Sequence, residues 1–279
     1  MKLDIIYEDK NLVAINKPAG LVVNRSDTVK NSKTLQDLIE EQISPFIELR
    51  KELTVNPDFI AGLSDNHEIP YNQLTEKQKK DLSYKDFIKR DGIVHRLDKD
   101  TTGVILVAKN YDTFLILQKQ FADRKVKKMY IAITFGHIKD AKEGDLIIID
   151  APIDRNPNNR EKFAVVEGGR EARTEIEIVE KFETSLGKFS LVNCFPKTGR
   201  THQIRVHLTA INTPVVGDFL YSGKTRYKKF EHLANRQMLH ATQIEFFHPK
   251  TGKPIEIKAK LPKDMKDVLN LLNKNRINN

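Results

Sequence analysis

The segment Gly92-Ile93-Val94-His95-Arg96-Leu97-Asp98-Lys99-Asp100-Thr101-Thr102-Gly103 places a histidine, an arginine and two carboxylates between apolar runs. Asp98 could serve as a nucleophile or a general base, and Arg96 could grip an anion. The flanking runs, Ile93-Val94 and Val104 to Ala108, are short, β-branched and bounded by glycine. That pattern predicts strands. Charged residues held between two buried runs sit on a rigid scaffold, as a reaction site needs. The same residues also make an ordinary polar hairpin turn, Asp98-Lys99-Asp100-Thr101. Residue types alone leave both readings open.

Two further clusters carry reactive side chains. In Pro196 to Leu208, Thr198 or Thr201 can cap a helix, and Gly199 leaves the backbone accessible. Free N–H groups beside Arg200 would make an anion site. The pattern is helical from Thr201, so His202 and Arg205, three apart, share a face. A zinc site is not expected. The five-residue step from His202 to His207 does not match His-Glu-x-x-His, and no third ligand is evident. The other cluster is Lys127-Lys128-Met129-Tyr130, with a tyrosine at a strand start that could equally be a core aromatic.

Several elements must position these residues. Leu12 to Val23 reads as two strands around a Lys17-Pro18-Ala19-Gly20 turn, and a plain turn accounts for most of what Lys17 does. Helices are predicted over Thr34 to Phe46 and Thr75 to Arg90, each capped by its threonine, and over Tyr111 to Lys125 and Lys263 to Asn273. Strand patterns occupy Tyr130 to Phe135, Leu146 to Ile149, Thr174 to Ile178, Ser190 to Val192, Gln243 to Phe247 and Ile255 to Ala259. Asp154 to Arg173 reads as a basic, glycine-containing connection. Many strands with fewer helices predict an α+β fold, a mainly antiparallel mixed sheet flanked by helices.

Composition narrows the function. With 47 Lys and Arg against 38 Asp and Glu, the net charge of +9 favours a polyanionic partner, most simply nucleic acid. The single cysteine, Cys194, rules out a disulfide framework within one chain and reads as a small buried residue. The N-terminus lacks the apolar core of a signal peptide, and no apolar run is long enough to span a bilayer. A cytoplasmic protein with no membrane partner is expected. The lack of a heptad pattern or long apolar stripe makes a monomer the default.

His95-Arg96-Leu97-Asp98-Lys99-Asp100-Thr101-Thr102-Gly103 resembles the signature of the RluA-type pseudouridine synthases: His-Arg-Leu-Asp, two variable residues, Thr, Ser or Thr, Gly. Asn16 to Leu21 is similar to that family's first motif, which supports the catalytic loop. Thr198-Gly199-Arg200-Thr201-His202-Gln203-Ile204-Arg205 matches its Thr-Gly-Arg-x-His-Gln-[Ile/Leu]-Arg motif, and Pro214 to Tyr221 fits the continuation. The resemblance runs from about Asn11 to Leu261 and implies an enzyme without cofactor or metal that isomerises uridines of ribosomal or transfer RNA. It implies a central RNA-binding cleft, Asp98 as nucleophile, Tyr130 packed on the target uracil, and Arg205 paired with Asp98. His95 and Arg96 would lie on the loop entering the RNA, with Lys128, Arg200 and His202 as further RNA contacts. One catalytic domain over residues 1–279 is expected. It would have no separate N-terminal RNA-binding domain and would carry an insertion at about 48–90, unusual for the family. A hydrolase with paired carboxylates fits poorly, because Asp98 and Asp100 would point to opposite sides of an extended chain. A descendant that only binds RNA would be expected to keep the basic surface and lose the acid, whereas Asp98, Tyr130 and Arg205 are all present.

Overall fold

The structure, a computed structural model, describes residues 1–25, 32–48 and 75–277. Most of the expected insertion, residues 49–74, lies outside the described residues. The chain forms two compact units. The first holds Met1–Lys99, Val104–Lys125 and Phe246–Ile257; the second holds Asp100–Gly103, Val126–Glu245 and Lys258–Asn279.

In the first unit, β1 (Ile5–Glu8) and β2 (Leu12–Lys17) form an antiparallel hairpin. Asp9 closes the turn by accepting the N–H groups of Asn11 and Leu12. The second strand expected over Leu21 to Val23 does not form. Those residues are buried or half-buried, and the carbonyls of Val22 and Val23 accept the N–H groups of Leu35 and Gln36 at 2.8 and 3.3 Å. The segment therefore serves the unpaired first donors of a helix rather than a strand partner. That helix, α1 (Leu35–Gln42), starts at a Thr34–Asp37 capping box and stops short of the expected Phe46, before Ser44-Pro45. The helix α2 (Glu76–Lys89) starts at a Thr75–Gln78 capping box, as its sequence predicts. The strand β3 (Thr102–Ala108), whose first two residues belong to the second unit, is buried at every position and lies beside β2. Ile93 joins it only as an isolated bridge to Val107, not as part of a strand. The helix α3 (Tyr111–Ala122) is capped by Asn110 and packs on α2 through Phe87–Phe114 and Tyr84–Tyr111 ring pairs.

The second unit continues with β4 (Lys127–Phe135), β5 (Leu146–Asp150), β6 (Ile153–Asn156), β7 (Asn159–Val165), β8 (Arg173–Thr184) and β9 (Gly187–Pro196). It then runs through α4 (Gln203–Ala210), α5 (Lys224–Phe230), β10 (Leu239–Phe247), β11 (Pro254–Lys258) and α6 (Lys263–Lys274). The last residues of β10 and most of β11 belong to the first unit. Its strands run in the order β10-β4-β9-β8-β5, all antiparallel, and β10 pairs in parallel with the start of β3 at His240–Thr102 and Ala241–Gly103. The fold is thus the expected α+β class with a mixed, mainly antiparallel sheet flanked by helices.

Ile204 and Leu208 of α4 join Met265, Val268 and Leu272 of α6 in one core with Ile176, Ile178 and Val192. Burying each α6 anchor stabilises by about 1.5–3 kcal/mol, more than the ~1 kcal/mol that a side-chain cap would add at Pro262, where none is made. Cys194 is buried in the same core, and burial pushes its thiol pKa up.

The sequence pattern misses β1, the β6–β7 hairpin and α5. Residues 154–173 contain the β6–β7 hairpin, whose Asp154, Arg155 and Asn159 to Glu161 are exposed and give no apolar alternation. The short, charged α5 has too few buried positions to show a helical stripe. Among the described residues no helix is long and apolar enough to cross a membrane.

Candidate active site

The Asp98 segment leaves α2 through Gly92, whose φ of +70° suits glycine. A Cβ there would sit 2.1 Å from the carbonyl oxygen of Ala108, so only glycine permits this approach to β3. Three residues on, His95 Nε2 accepts the N–H of Leu106 at 2.9 Å, and its ring packs on Phe121 with centroids 5.0 Å apart. The imidazole thus fastens the segment to β3 and α3. Arg96 is exposed and makes no hydrogen bond or ion pair among the described residues. Leu97 is buried, and Asp98 is half-buried.

Lys17 holds the far side of Asp98. It is fully buried, and its ammonium donates to the carbonyls of Pro18 (2.8 Å), Leu21 (2.9 Å) and Lys99 (2.7 Å). The expectation of a plain turn at Lys17 is therefore corrected. A buried ammonium has three donors to satisfy, and it satisfies one of them on the residue next to Asp98.

In the second unit the residues after Lys99 are fastened one by one. Arg236 Nη1 donates to the Asp100 carbonyl (3.1 Å), Gln237 Nε2 to Thr101 Oγ1 (3.2 Å), and Thr102 Oγ1 bonds His240 Nδ1 (2.8 Å). Arg236 is buried and oriented by a bidentate pair with Asp264. The other nitrogen of His240 faces the Ala259 carbonyl, which fixes the neutral tautomer with Nε2–H donating and Nδ1 accepting from Thr102. Burial pushes the His240 pKa down to about 4.

The Thr198–Arg205 cluster is built differently from its sequence reading. Neither Thr198 nor Thr201 caps α4. His202 is the N-cap, in left-handed conformation at φ 56°, and makes no side-chain cap bond. Thr198 Oγ1 instead donates to Gln203 Oε1 (2.7 Å) and accepts from the N–H of Arg173. The Arg200 N–H also goes to Gln203 Oε1, so it is not open to an anion as expected. Gln203 Nε2 completes the tie to β8 through the Arg173 carbonyl and Thr174 Oγ1.

Arg205 is buried. It makes a fork with Asp218, Nε to Oδ2 at 2.7 Å and Nη2 to Oδ1 at 3.0 Å, and it lies 4.9 Å from the Tyr221 ring centroid. Asp218 Oδ1 also accepts the N–H groups of Leu220 and Tyr221. The Tyr221 hydroxyl accepts from the Phe163 N–H and bonds His202 Nδ1 at 2.9 Å.

Lys128 and Tyr130 alternate along β4 and therefore share a face of the sheet. Lys128 Nζ donates to the Thr198 carbonyl (3.2 Å), and burial lowers its pKa to about 8. Tyr130 is half-buried beside the core of this unit. The structure thus gathers Lys128, Arg200, His202 and Arg205 around the start of α4, and His95, Arg96 and Asp98 on one segment of the first unit. Asp218, Tyr221, Arg236 and Gln237 are supporting residues that residue types did not single out. The one available signal was position in a matched motif, which Asp218 and Tyr221 had.

A family model described as RNA pseudouridylate synthase matches residues 11–210. The chain is 36% identical, over 96% of its length, to "Ribosomal large subunit pseudouridine synthase D" of Nitrosomonas europaea, and covers 64% of that protein. It is 34% identical, over 99% of its length, to "Uncharacterized RNA pseudouridine synthase YlyB" of Bacillus subtilis, covering 74% of it. The solved structure "Human RNA Pseudouridylate Synthase Domain Containing 4" aligns with a TM-score of 0.61 at 25% identity, covering 96% of this chain and 92% of that one. The chain belongs to the RNA pseudouridine synthase family.

Two outcomes follow. Folded His240 resists protonation down to about pH 4, whereas an unfolded histidine protonates near its ordinary 6.5. The stability it contributes is complete above pH 6.5 and is lost as pH falls towards 4, by roughly 3 kcal/mol at most. Urea unfolding between pH 7.5 and 4.5 should therefore show a steeper loss for wild type than for His240→Gln; parallel profiles would contradict this. Lys17→Met should lower the single-turnover rate of pseudouridine formation by about 10- to 100-fold through misplacement of the Asp98 segment, with RNA affinity within about threefold. A wild-type rate in that variant would remove Lys17 from the positioning role.

Proposed function

We propose that this chain isomerises uridine to pseudouridine in RNA of the large ribosomal subunit, with Asp98 as covalent catalyst. The observation that carries this is the fastening of the Asp98 segment, with His95 held by the Leu106 N–H and Lys99 held by buried Lys17. The names of the relatives in Nitrosomonas europaea and other bacteria support the ribosomal substrate.

The reaction breaks the bond between ribose C1′ and uracil N1. It forms one between C1′ and C5, with a proton leaving C5 and one arriving at N1. Nothing is oxidised or reduced. A carboxylate nucleophile splits this exchange into two easier steps. The target base must leave its stack to be reached, and Tyr130 is the aromatic we assign to its face. Arg205, with its fork to Asp218 using Nε and Nη2, is assigned as the ion-pair partner of Asp98. Arg96, exposed, is assigned to the RNA backbone, as are Lys128, Arg200 and His202, with His95 on the same entering loop. Both units form one catalytic domain in this reading, acting as a cytoplasmic monomer.

Pseudouridine mapping by carbodiimide labelling and sequencing, on RNA from cells with and without the gene, tests it. Sites in large-subunit ribosomal RNA should vanish on deletion and return with the wild-type gene. Sites lost from transfer RNA instead would refute the substrate assignment. No loss anywhere, together with no turnover by purified protein on unmodified ribosomal RNA, would refute the activity.

A further inference from the structure

A surface of the second unit that the site above does not use carries an exposed aromatic among cations. Phe219 follows Asp218 directly, yet Asp218 is fully buried and Phe219 is 67% exposed. The Phe219 ring meets Tyr227 of α5 edge-to-face, with centroids 5.2 Å apart and an angle of 84°. Lys224, Tyr227 and Lys228 fall at i, i+3 and i+4 and so share one helix face. Lys224 and Lys228 are exposed and make no hydrogen bond or ion pair among the described residues. Arg226 is drawn off to the Phe135 ring, 5.4 Å from its centroid. Between Phe219 and Phe230 the chain has four cations and no acid, so nothing in the segment neutralises this face.

We propose that Phe219, Tyr227, Lys224 and Lys228 form a stacking platform for an unpaired base of the RNA substrate other than the target uridine. The proposal rests on the reading of the chain as an RNA-modifying enzyme and adds a contact to it. An open aromatic face accepts any base, and the two flanking ammonium groups are placed for the adjoining phosphates. A protein partner would call for a contiguous apolar patch, whereas α5, which meets Phe219 through Tyr227, also carries Lys224, Arg226, Lys228 and Lys229. The platform also bears on the site, because Leu220, next to Phe219, donates its N–H to the Asp218 carboxylate that holds Arg205.

The test is fluorescence anisotropy of the full chain with a short labelled single-stranded RNA and with an RNA duplex of the same length. Phe219→Leu, which keeps the apolar bulk and removes the ring, should weaken single-strand binding about tenfold, while Phe219→Trp should hold or tighten it. Lys224→Ala with Lys228→Ala should reduce the slope of log affinity against log salt by about 1.4. Duplex binding should change less in every variant. Equal single-strand affinities for wild type and Phe219→Leu, both folded by thermal melt, would overturn the platform and leave the face to a protein partner. Wild-type turnover on RNA from the deletion strain is measured on the same preparation. Its failure would refute the activity, and the binding arms still decide the platform.

Discussion

The Lys17 ammonium is the constraint on which the Asp98 segment depends. An ammonium has three donors and no acceptor, and burial is tolerable only when each donor finds an oxygen. Here Pro18, Leu21 and Lys99 supply carbonyls within 2.9 Å. Two come from the turn that follows β2 and one from the residue next to Asp98. The same bonds therefore explain why Leu21 to Val23 does not continue as a strand and tie the acidic loop to that turn. Hydrogen bonds to a charged group contribute about 1.5–3 kcal/mol each, enough for this cluster to outweigh strand propensity over three residues.

The second unit solves the corresponding problem with a guanidinium. Arg205 is forked onto fully buried Asp218, and Asp218 in turn accepts two backbone N–H groups from the following turn. Removing one partner of such a buried pair costs about 3–5 kcal/mol, so the geometry is strongly held. Gln203 does the same for the turn before α4 by bonding Thr198, Arg200, Arg173 and Thr174. Chemistry that uses side chains alone draws on such preorganisation, since positioning and fixed charge supply the rate.

Much of this was legible in the sequence where local chemistry decides structure. The capping threonines Thr34 and Thr75 start their helices, and the β-branched run Val104 to Ala108 is part of a buried strand. Reading failed where a distant partner decides. Nothing near Lys17 signals that its amine ends on Lys99, and the Gln203 amide displaces the expected threonine cap by bonding Thr198 itself. The β6–β7 hairpin escaped because its polar, exposed strands share no alternation with the core. Of the candidate residues, Asp98 and Arg205 stood out through motif spacing. Asp218, Tyr221 and Arg236 are ordinary residue types whose importance comes from what they hold.

The central claim is that the Asp98 carboxylate does the bond-breaking chemistry. Single-turnover kinetics of purified wild type and Asp98→Asn on unmodified large-subunit ribosomal RNA, following pseudouridine formation and RNA affinity together, test it directly. The account predicts no pseudouridine from Asp98→Asn with affinity within a few-fold of wild type. Appreciable turnover by Asp98→Asn would contradict it.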